Sequence, residues 1–493
     1  MEVSRILING EWVSSSSKKI IDVQNPATLE IVGRVPACNE ADVNAAVAAA
    51  KKAQIDWNKT PGLEKAQQLH EVASRIRDME EELATSITKE TGKPLCESVE
   101  SIENVAGCFD YYAEVGRSER GHTFPPVSRH QVNFTIKEPY GVVAAIVPFN
   151  FPLLLMAWKV APALAAGNTV VCKPSYLNPT SNLIMARAYE DLPPGVMNVI
   201  TGTGGTVGGQ LIRHPDVNLI AFTGSTEAGR RIASEAGTQL KEVNLELGGI
   251  DPLIVFEDAD IDIAVRGATY ARLLNAGQVC TSSKRIYVVE KIAKEFTDRM
   301  IKHVKSLRVG DPMKPDTDIG PLVSAEALED IEQQVARAVK DGAKLVHGGK
   351  RVQPDGLKGF FYEPAILVDV PQGSAATTEE IFGPVIAVIV AKDADDAIRK
   401  ANDSEYGLGA TIFTNNLEYM MKAMENIKAG SFWVNDPLTD NDAGAFGGMR
   451  ASGIGRELGI EGLDAFREPK HVHIDYVMES KPFWFPYRER EDE

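Results

Sequence analysis

Hydrophobic positions change their spacing near residue 140. Before that point, Leu69, Val72, Ala73, Ile76, Leu83 and Ile87 recur every three or four residues. That period predicts a helix over 60–94, with Thr60 as its cap, Pro61 in its first turn, and Gly92 and Pro94 closing it. The charged stretch 78–82 reads as its solvated face, and the four serines at 14–17 as a hairpin loop. After 140, short apolar runs alternate with helical patterns. Strands are predicted at 142–147, 169–172, 196–200, 219–222 and 242–247, with helices at 153–166, 180–190 and 226–236 and a short one ending near Arg213. A second series carries strands at 252–256, 285–289 and 384–390 and a helix at 261–275. Continuously apolar strands separated by helices indicate an α/β fold built on parallel sheets covered on both faces. Ligands bind such sheets at the carboxyl ends of the strands.

At 493 residues the chain exceeds what one core supports, so two large domains are expected. A net charge of −17 argues against nucleic acid as a partner, because phosphate binding needs a basic surface. No stretch reaches the roughly 20 apolar residues of a membrane span. The apolar segment 151–166 contains Lys159, Pro152 and Pro162 and fits a buried helix better. Five cysteines, at 38, 96, 108, 172 and 280, match no zinc spacing, and metal ligation is not expected. The N-terminal residues lack the apolar core of a signal peptide, so a reducing cytoplasm is the expected compartment.

Several motifs stand at strand ends. Gly277-Gln278-Val279-Cys280 offers a thiol, and Glu246-Leu247-Gly248-Gly249 offers a carboxylate 34 residues earlier. A thiol attacks carbonyl carbon, and a carboxylate can activate the water that releases the acyl group. Asn150 sits between prolines in Pro148-Phe149-Asn150-Phe151-Pro152, which stiffens the loop and aims its amide as an oxyanion donor. Lys173-Pro174-Ser175, the turn from Gly202 through Gly204 to Gly208, and Phe222-Thr223-Gly224-Ser225 each follow a strand, as phosphate- or ribose-binding turns do. Each motif alone has a plainer reading: an inert buried thiol, a strand end, a capping Asn, a surface Lys or an empty turn.

Taken in order with EEIFGPV at 379–385 and GGMRASGIGRELG at 447–459, these motifs resemble the aldehyde dehydrogenase superfamily over about residues 5–475. The resemblance implies a nucleophile at Cys280, a general base at Glu246, an oxyanion hole from Asn150 and the Cys280 N–H, and a supporting Lys159. It implies cofactor contacts at Ile146, Pro148, Lys173, Ser175, Tyr176, Gly204, Gly208, Phe222, Gly224, Ser225, Leu247, Glu380 and Phe382. Phe151, Trp158 and Phe446 would line a substrate tunnel. The implied reaction oxidises a small-molecule aldehyde to an acid through a thiohemiacetal and a thioester. Acylating members, which use coenzyme A, generally lack a Glu at position 246, so water is the expected acceptor here. NAD-preferring members often carry Glu where this chain has Tyr176, so NADP is expected ahead of NAD. Lys173 and Ser175 would meet its 2′-phosphate. The alternatives are a cysteine-dependent esterase and a catalytically silent protein on the same fold.

Three parts are implied: a cofactor domain from 1–118 and 140–247, a catalytic domain at 248–447, and a β-flap from 119–139 and 465–480. A tail follows at 481–493. An exposed strand pair is marginal by itself, so a homo-oligomer, dimer or tetramer, is expected. The aldehyde's identity stays open, with Lys284, Arg285 and Arg450 as possible partners for an anionic group.

Overall fold

Five of the predicted strands lie side by side in one sheet. A computed structural model describes residues 2–118, 121–481 and 483–485. Its parallel strands run in the spatial order Glu242–Glu246, Leu219–Thr223, Val142–Ile146, Thr169–Lys173 and Met197–Val199. In chain order that is 5-4-1-2-3, a doubly wound sheet whose winding reverses between Val142–Ile146 and Leu219–Thr223. The crevice of such a sheet opens there, at the carboxyl ends. Antiparallel strands extend both edges: Gly453–Ile454 beside Glu242–Glu246, and Ile6–Ile8 with Glu11–Val13 beside Met197–Val199.

The second sheet holds seven strands in the order Lys344–His347, Ala365–Val368, Val385–Ala391, Arg285–Val289, Pro252–Val255, Gly409–Phe413 and Ser431–Val434. Its pairs are parallel except at the Lys344–His347 edge. Separate cores of buried aliphatic residues serve the two sheets. In the helix Leu154–Ala166, residues 155–165 are all buried, Pro162 included, so its apolarity answers to a protein interior. No helix among the described residues is long and apolar enough to cross a membrane.

Two local expectations need correction. The helix over 60–94 is two helices, Gly62–Asp78 and Glu80–Thr91, which meet at Met79 (φ −102°, ψ 13°). Arg75 and Arg77 end the first and Glu80, Glu81 and Glu82 begin the second, so each charge group opposes the partial charge of its own helix end. Apolar spacing continues through the junction because both helices bury the same face. Thr60 closes the preceding helix Glu40–Lys59, its hydroxyl bonded to the Asp56 carbonyl, while Gly92 takes the left-handed closing position (φ 80°) as expected.

The serines at 14–17 form no hairpin, because the strands they join, Glu11–Val13 and Ile20–Gln24, belong to different sheets. Ser15 and Ser16 instead bond Asp42 and Asn39, bracing the capped start of Glu40–Lys59. The true hairpin turns at Asn9-Gly10, both with positive φ (56° and 76°), as a two-residue turn demands.

A third sheet pairs Gln131–Pro139 with Arg467–Asp475 over nine registered residues, with Thr123–Phe124 at its edge. Phe124, Val132, Ile136 and Ile474 are exposed on it. Most of the tail 481–493 lies outside the described residues, as do residues 119 and 120 of the expected flap.

Candidate active site

Cys280 sits on a loop made by three consecutive positive-φ residues, Asn275 (49°), Ala276 (54°) and Gly277 (75°). This left-handed bend is costly for the two non-glycine residues, so the surroundings must hold it. Arg272, fully buried, does much of this. Its guanidinium donates to the carbonyls of Gly277 at 3.2 Å, Ile381 at 2.8 Å and Val385 at 2.6 Å, and to Ser282 Oγ at 2.7 Å. One side chain thus ties the Cys280 loop to the segment carrying Glu380 and Phe382. A Cβ at Gly277 would come within 2.3 Å of the Gly383 carbonyl, so the close approach needs glycine. Gln278 adds a second tie, donating to the Asn275 carbonyl and accepting the Val323 N–H at 3.0 Å.

The Asn150 loop follows the strand Val142–Ile146. Its prolines are assisted by amides: Asn178 donates to the Phe149 carbonyl at 2.6 Å and Asn182 to the Pro152 carbonyl at 2.9 Å. Asn150 donates one amide proton to the Gln278 carbonyl at 3.0 Å, and Asn275 donates back to the Asn150 carbonyl at 3.1 Å. The structure therefore joins this loop to the Cys280 loop directly.

Glu246 ends the strand Glu242–Glu246 and is buried, with neither carboxylate oxygen in a formed hydrogen bond. Burial, and then the nearby Glu457, raise its carboxyl well above the ordinary range; Lys159 and Arg456 pull the other way. Lys159 lies wholly inside the protein, donating to Thr223 Oγ1 at 2.6 Å and to Glu457. Glu457 is raised too, by burial first. Glu246 therefore belongs to a buried cluster of two carboxylates and one ammonium, where the pair Lys159–Glu457 keeps a second anion from standing alone.

Cys280 opens onto a cavity of about 500 Å³. Phe151, Trp158, Tyr270 and Phe446 supply its aromatic wall, with Trp158 and Phe446 ring centroids 4.8 Å apart. Glu97, Glu100, Asp436, Asp440 and Asp442 also line it, and among the described residues no Lys or Arg does. Burial raises Glu97 to about 7, and Lys93 beside it falls to about 8 through its own burial. The Lys93 ammonium lies 3.5 Å from the Phe151 ring centroid. Burial also pushes the Cys280 thiol up to about 12, with Lys284 the largest influence in the opposite direction.

The remaining expected residues gather at the carboxyl ends of the first sheet. Ile146, Lys173 and Phe222 lie in or at the ends of three adjacent strands, and Pro148, Ser175, Tyr176, Gly224 and Ser225 follow them. Lys173 is buried and donates to the carbonyls of Pro174 at 2.8 Å and Gly202 at 3.3 Å. Ser225 caps the helix Thr226–Gly237, and Leu247 packs on Gly229 of that helix. Glu380 accepts the Gly249 N–H at 3.2 Å, and the Phe382 ring meets Phe149 edge-on at 5.9 Å. Lys284 and Arg450 bond backbone carbonyls, and Arg285 does the same; none lines the tunnel.

A profile described as the aldehyde dehydrogenase family matches residues 12–472. The chain belongs to the aldehyde dehydrogenase family. It is 40% identical over 496 residues to a chloroplastic aminoaldehyde dehydrogenase of Arabidopsis thaliana, covering 98% of each chain. Among solved structures it resembles an NADP-dependent enzyme of E. coli, at 37% identity and a TM-score of 0.93 over 96% of this chain and 98% of that one. It also resembles betaine aldehyde dehydrogenase of Staphylococcus aureus in complex with NAD+, at 34% identity and a TM-score of 0.95 over 98% of this chain and 96% of that one. The protein is an aldehyde dehydrogenase: an oxidoreductase that converts an aldehyde to a carboxylic acid.

Within this aldehyde dehydrogenase, Arg272 and the acidic cavity residues went unnoticed in the sequence, and Gln278 and Glu457 stood in the quoted motifs without a role. Arg272 is a charge in otherwise apolar or small-residue surroundings, a signal open to sequence reading. The five tunnel carboxylates come from two segments more than 300 residues apart and have no such signal.

Proposed function

We propose that this aldehyde dehydrogenase oxidises aldehydes carrying a positive charge, such as amino- or quaternary-ammonium aldehydes. The observation that carries this reading is the tunnel lining: five carboxylates and four aromatic rings with no basic residue among them. An ammonium group gains from carboxylates by Coulomb attraction and from ring faces by cation–π contact, about 0.5–2 kcal/mol for each ring. Relatives named for aminoaldehyde and betaine aldehyde point the same way. Steady-state kinetics on a cationic aldehyde and a neutral aldehyde of the same length test it. The cationic substrate is expected to have a kcat/KM at least about tenfold higher, a difference of about 1.4 kcal/mol. Equal values would overturn the reading.

The chemistry we infer starts with Cys280. Its sulfur, as the thiolate, adds to the aldehyde carbon, and the free Asn150 Nδ2–H and the Cys280 N–H donate to the oxyanion that forms. A nicotinamide held beside Phe149, Glu380 and Phe382 would supply the acceptor for the hydride that this adduct loses on becoming a thioester. Glu246 then removes a proton from water as the water oxygen attacks the thioester carbon. The C–S bond breaks, the acid leaves, and sulfur returns as thiolate. A carboxyl raised by burial is a stronger base than an ordinary one, which suits proton removal from water.

The residues present fit a nicotinamide dinucleotide. A Cβ at Gly204 or Gly205 would meet nothing within 4 Å, so that backbone is open to a ligand beside the sheet crevice. Phe149, Glu380 and Phe382 line a neighbouring cavity of about 440 Å³, where the nicotinamide end would lie. The exposed Tyr176 carries no charge to repel a 2′-phosphate. Ser175 Oγ accepts the Leu177 N–H and keeps its own proton for an acceptor. Lys173 is committed to carbonyls, so its role is to shape the turn. We read NADP as preferred over NAD, and the ratio of kcat/KM for the two cofactors tests that preference.

The domain division expected from the sequence remains our reading of the two main sheets and the flap. The exposed apolar residues of the flap support assembly through that sheet into a dimer or tetramer, which light scattering tests. Five free cysteines suit a reducing compartment such as the cytoplasm.

A further inference from the structure

Lys284 stands four residues beyond Cys280, and its side chain folds back on the nucleophile. It is 3% exposed, and its Nζ donates to the carbonyls of Val279 at 2.9 Å and Cys280 at 2.6 Å. Glu380 Oε1 lies 3.4 Å from the same Nζ and accepts the Gly249 N–H, three residues past the base. One continuous set of contacts therefore runs from the Glu246 loop through Glu380 and Lys284 to the backbone of Cys280. Space around it is tight: a Cβ at Gly248 would fall 2.3 Å from Glu380 Oε2, and one at Gly249 3.3 Å from the Cys280 carbonyl.

Two carbonyls need only a neutral donor. An ammonium is costly to bury, and here burial lowers its proton affinity. What it adds is a charge 2.6 Å from the carbonyl of the residue that bears the sulfur. Of the charged groups that act on Cys280, Asp251, Glu380 and Glu246 oppose the thiolate and Lys284 favours it. Arg272 faces Lys284 with like charge from the helix Ile261–Leu273, and Glu380 and Asp251 face it with opposite charge.

We propose that Lys284 is the positioning residue of the nucleophile: it fixes the carbonyls of Val279 and Cys280, which aims the Cys280 N–H and sulfur at the tunnel, and its charge stabilises the thiolate. The proposal rests on Cys280 being the nucleophile.

The test uses the full-length enzyme without cofactor, alkylated by iodoacetamide over about pH 6–10 and read at Cys280 by peptide mass spectrometry. Lys284→Gln and Lys284→Met are expected to displace the pH–rate profile upward by about one unit, about tenfold slower alkylation at a given pH. Lys284→Arg keeps the charge and stays close to the parent. Glu380→Gln removes an anion that itself acts on Cys280 and is expected to move the profile the opposite way. The exposed Cys96 reports reagent reactivity in the same samples, and circular dichroism reports the fold. An undisplaced profile in a folded Lys284→Gln protein overturns the proposal. If neither neutral variant folds, Lys284→Met is read in the Glu380→Gln background, where both charges of the pair are gone, and a profile no higher than that of Glu380→Gln alone overturns the proposal. Full turnover by Cys280→Ser would instead sink the nucleophile assignment, a separate result from the alkylation profile.

Discussion

Asn150 gives one amide proton to the Gln278 carbonyl at 3.0 Å, so the loop after one sheet is tied to the loop before the other. A side-chain amide has two protons, and the second is left for the oxyanion. Asn150→Ala is expected to lower kcat by about 10²–10³-fold, the usual loss for one oxyanion donor. Stability should fall by only about 1 kcal/mol, because Asn275 still reaches the Gln278 carbonyl. Initial rates with a thermal melt check both, and a kcat within about threefold of the parent contradicts the role.

Glu246→Gln separates the two halves of the reaction. The variant keeps the shape of the side chain and loses the base. Acylation of Cys280 should proceed once, and release of the acid should nearly stop. Rapid mixing is expected to show a burst of about one reduced cofactor per active site, with an acylated protein by intact mass. Undiminished steady turnover would remove Glu246 from the deacylation step.

Substrate affinity should depend on pH in a direction set by the tunnel. Glu97 is raised to about 7, chiefly by burial. Below that value it is neutral; above it, it is an anion that attracts a cation. KM for a cationic aldehyde is therefore expected to fall as pH rises through about 7, while KM for a neutral aldehyde stays level. Glu97→Gln should flatten the first curve. A cationic-substrate KM that rises over that range would contradict the assignment.

Lys159→Met tests the buried cluster through stability. Removing the ammonium leaves Glu457 buried beside Glu246 with no cation bonded to it. The expected loss is about 3–5 kcal/mol, typical of breaking one side of a buried ion pair. Urea unfolding measures it. The double variant Lys159→Met with Glu457→Leu should recover much of the loss, since both charges are then gone.

The sequence by itself determined the period of every parallel strand in the first sheet, the buried helix Leu154–Ala166 and the ordered motifs that name the family. Those features are local: an apolar run, a proline-flanked Asn or a glycine with positive φ carries its meaning within a few residues. It misjudged the stretch 60–94 because apolar spacing runs unbroken across Met79, where only backbone angles mark the end of one helix. It misjudged the serines at 14–17 because a hairpin depends on which strands become neighbours. Tertiary structure alone decided that Arg272 holds two carbonyls distant in the chain, that Lys173 and Lys284 donate to backbone oxygens, and that carboxylates from 97–100 and 436–442 face one cavity. The physical reason is the same in each case. A charge's partner, and hence its chemistry, is set by what folding brings within a few ångströms of it, and no spacing along the chain records that distance.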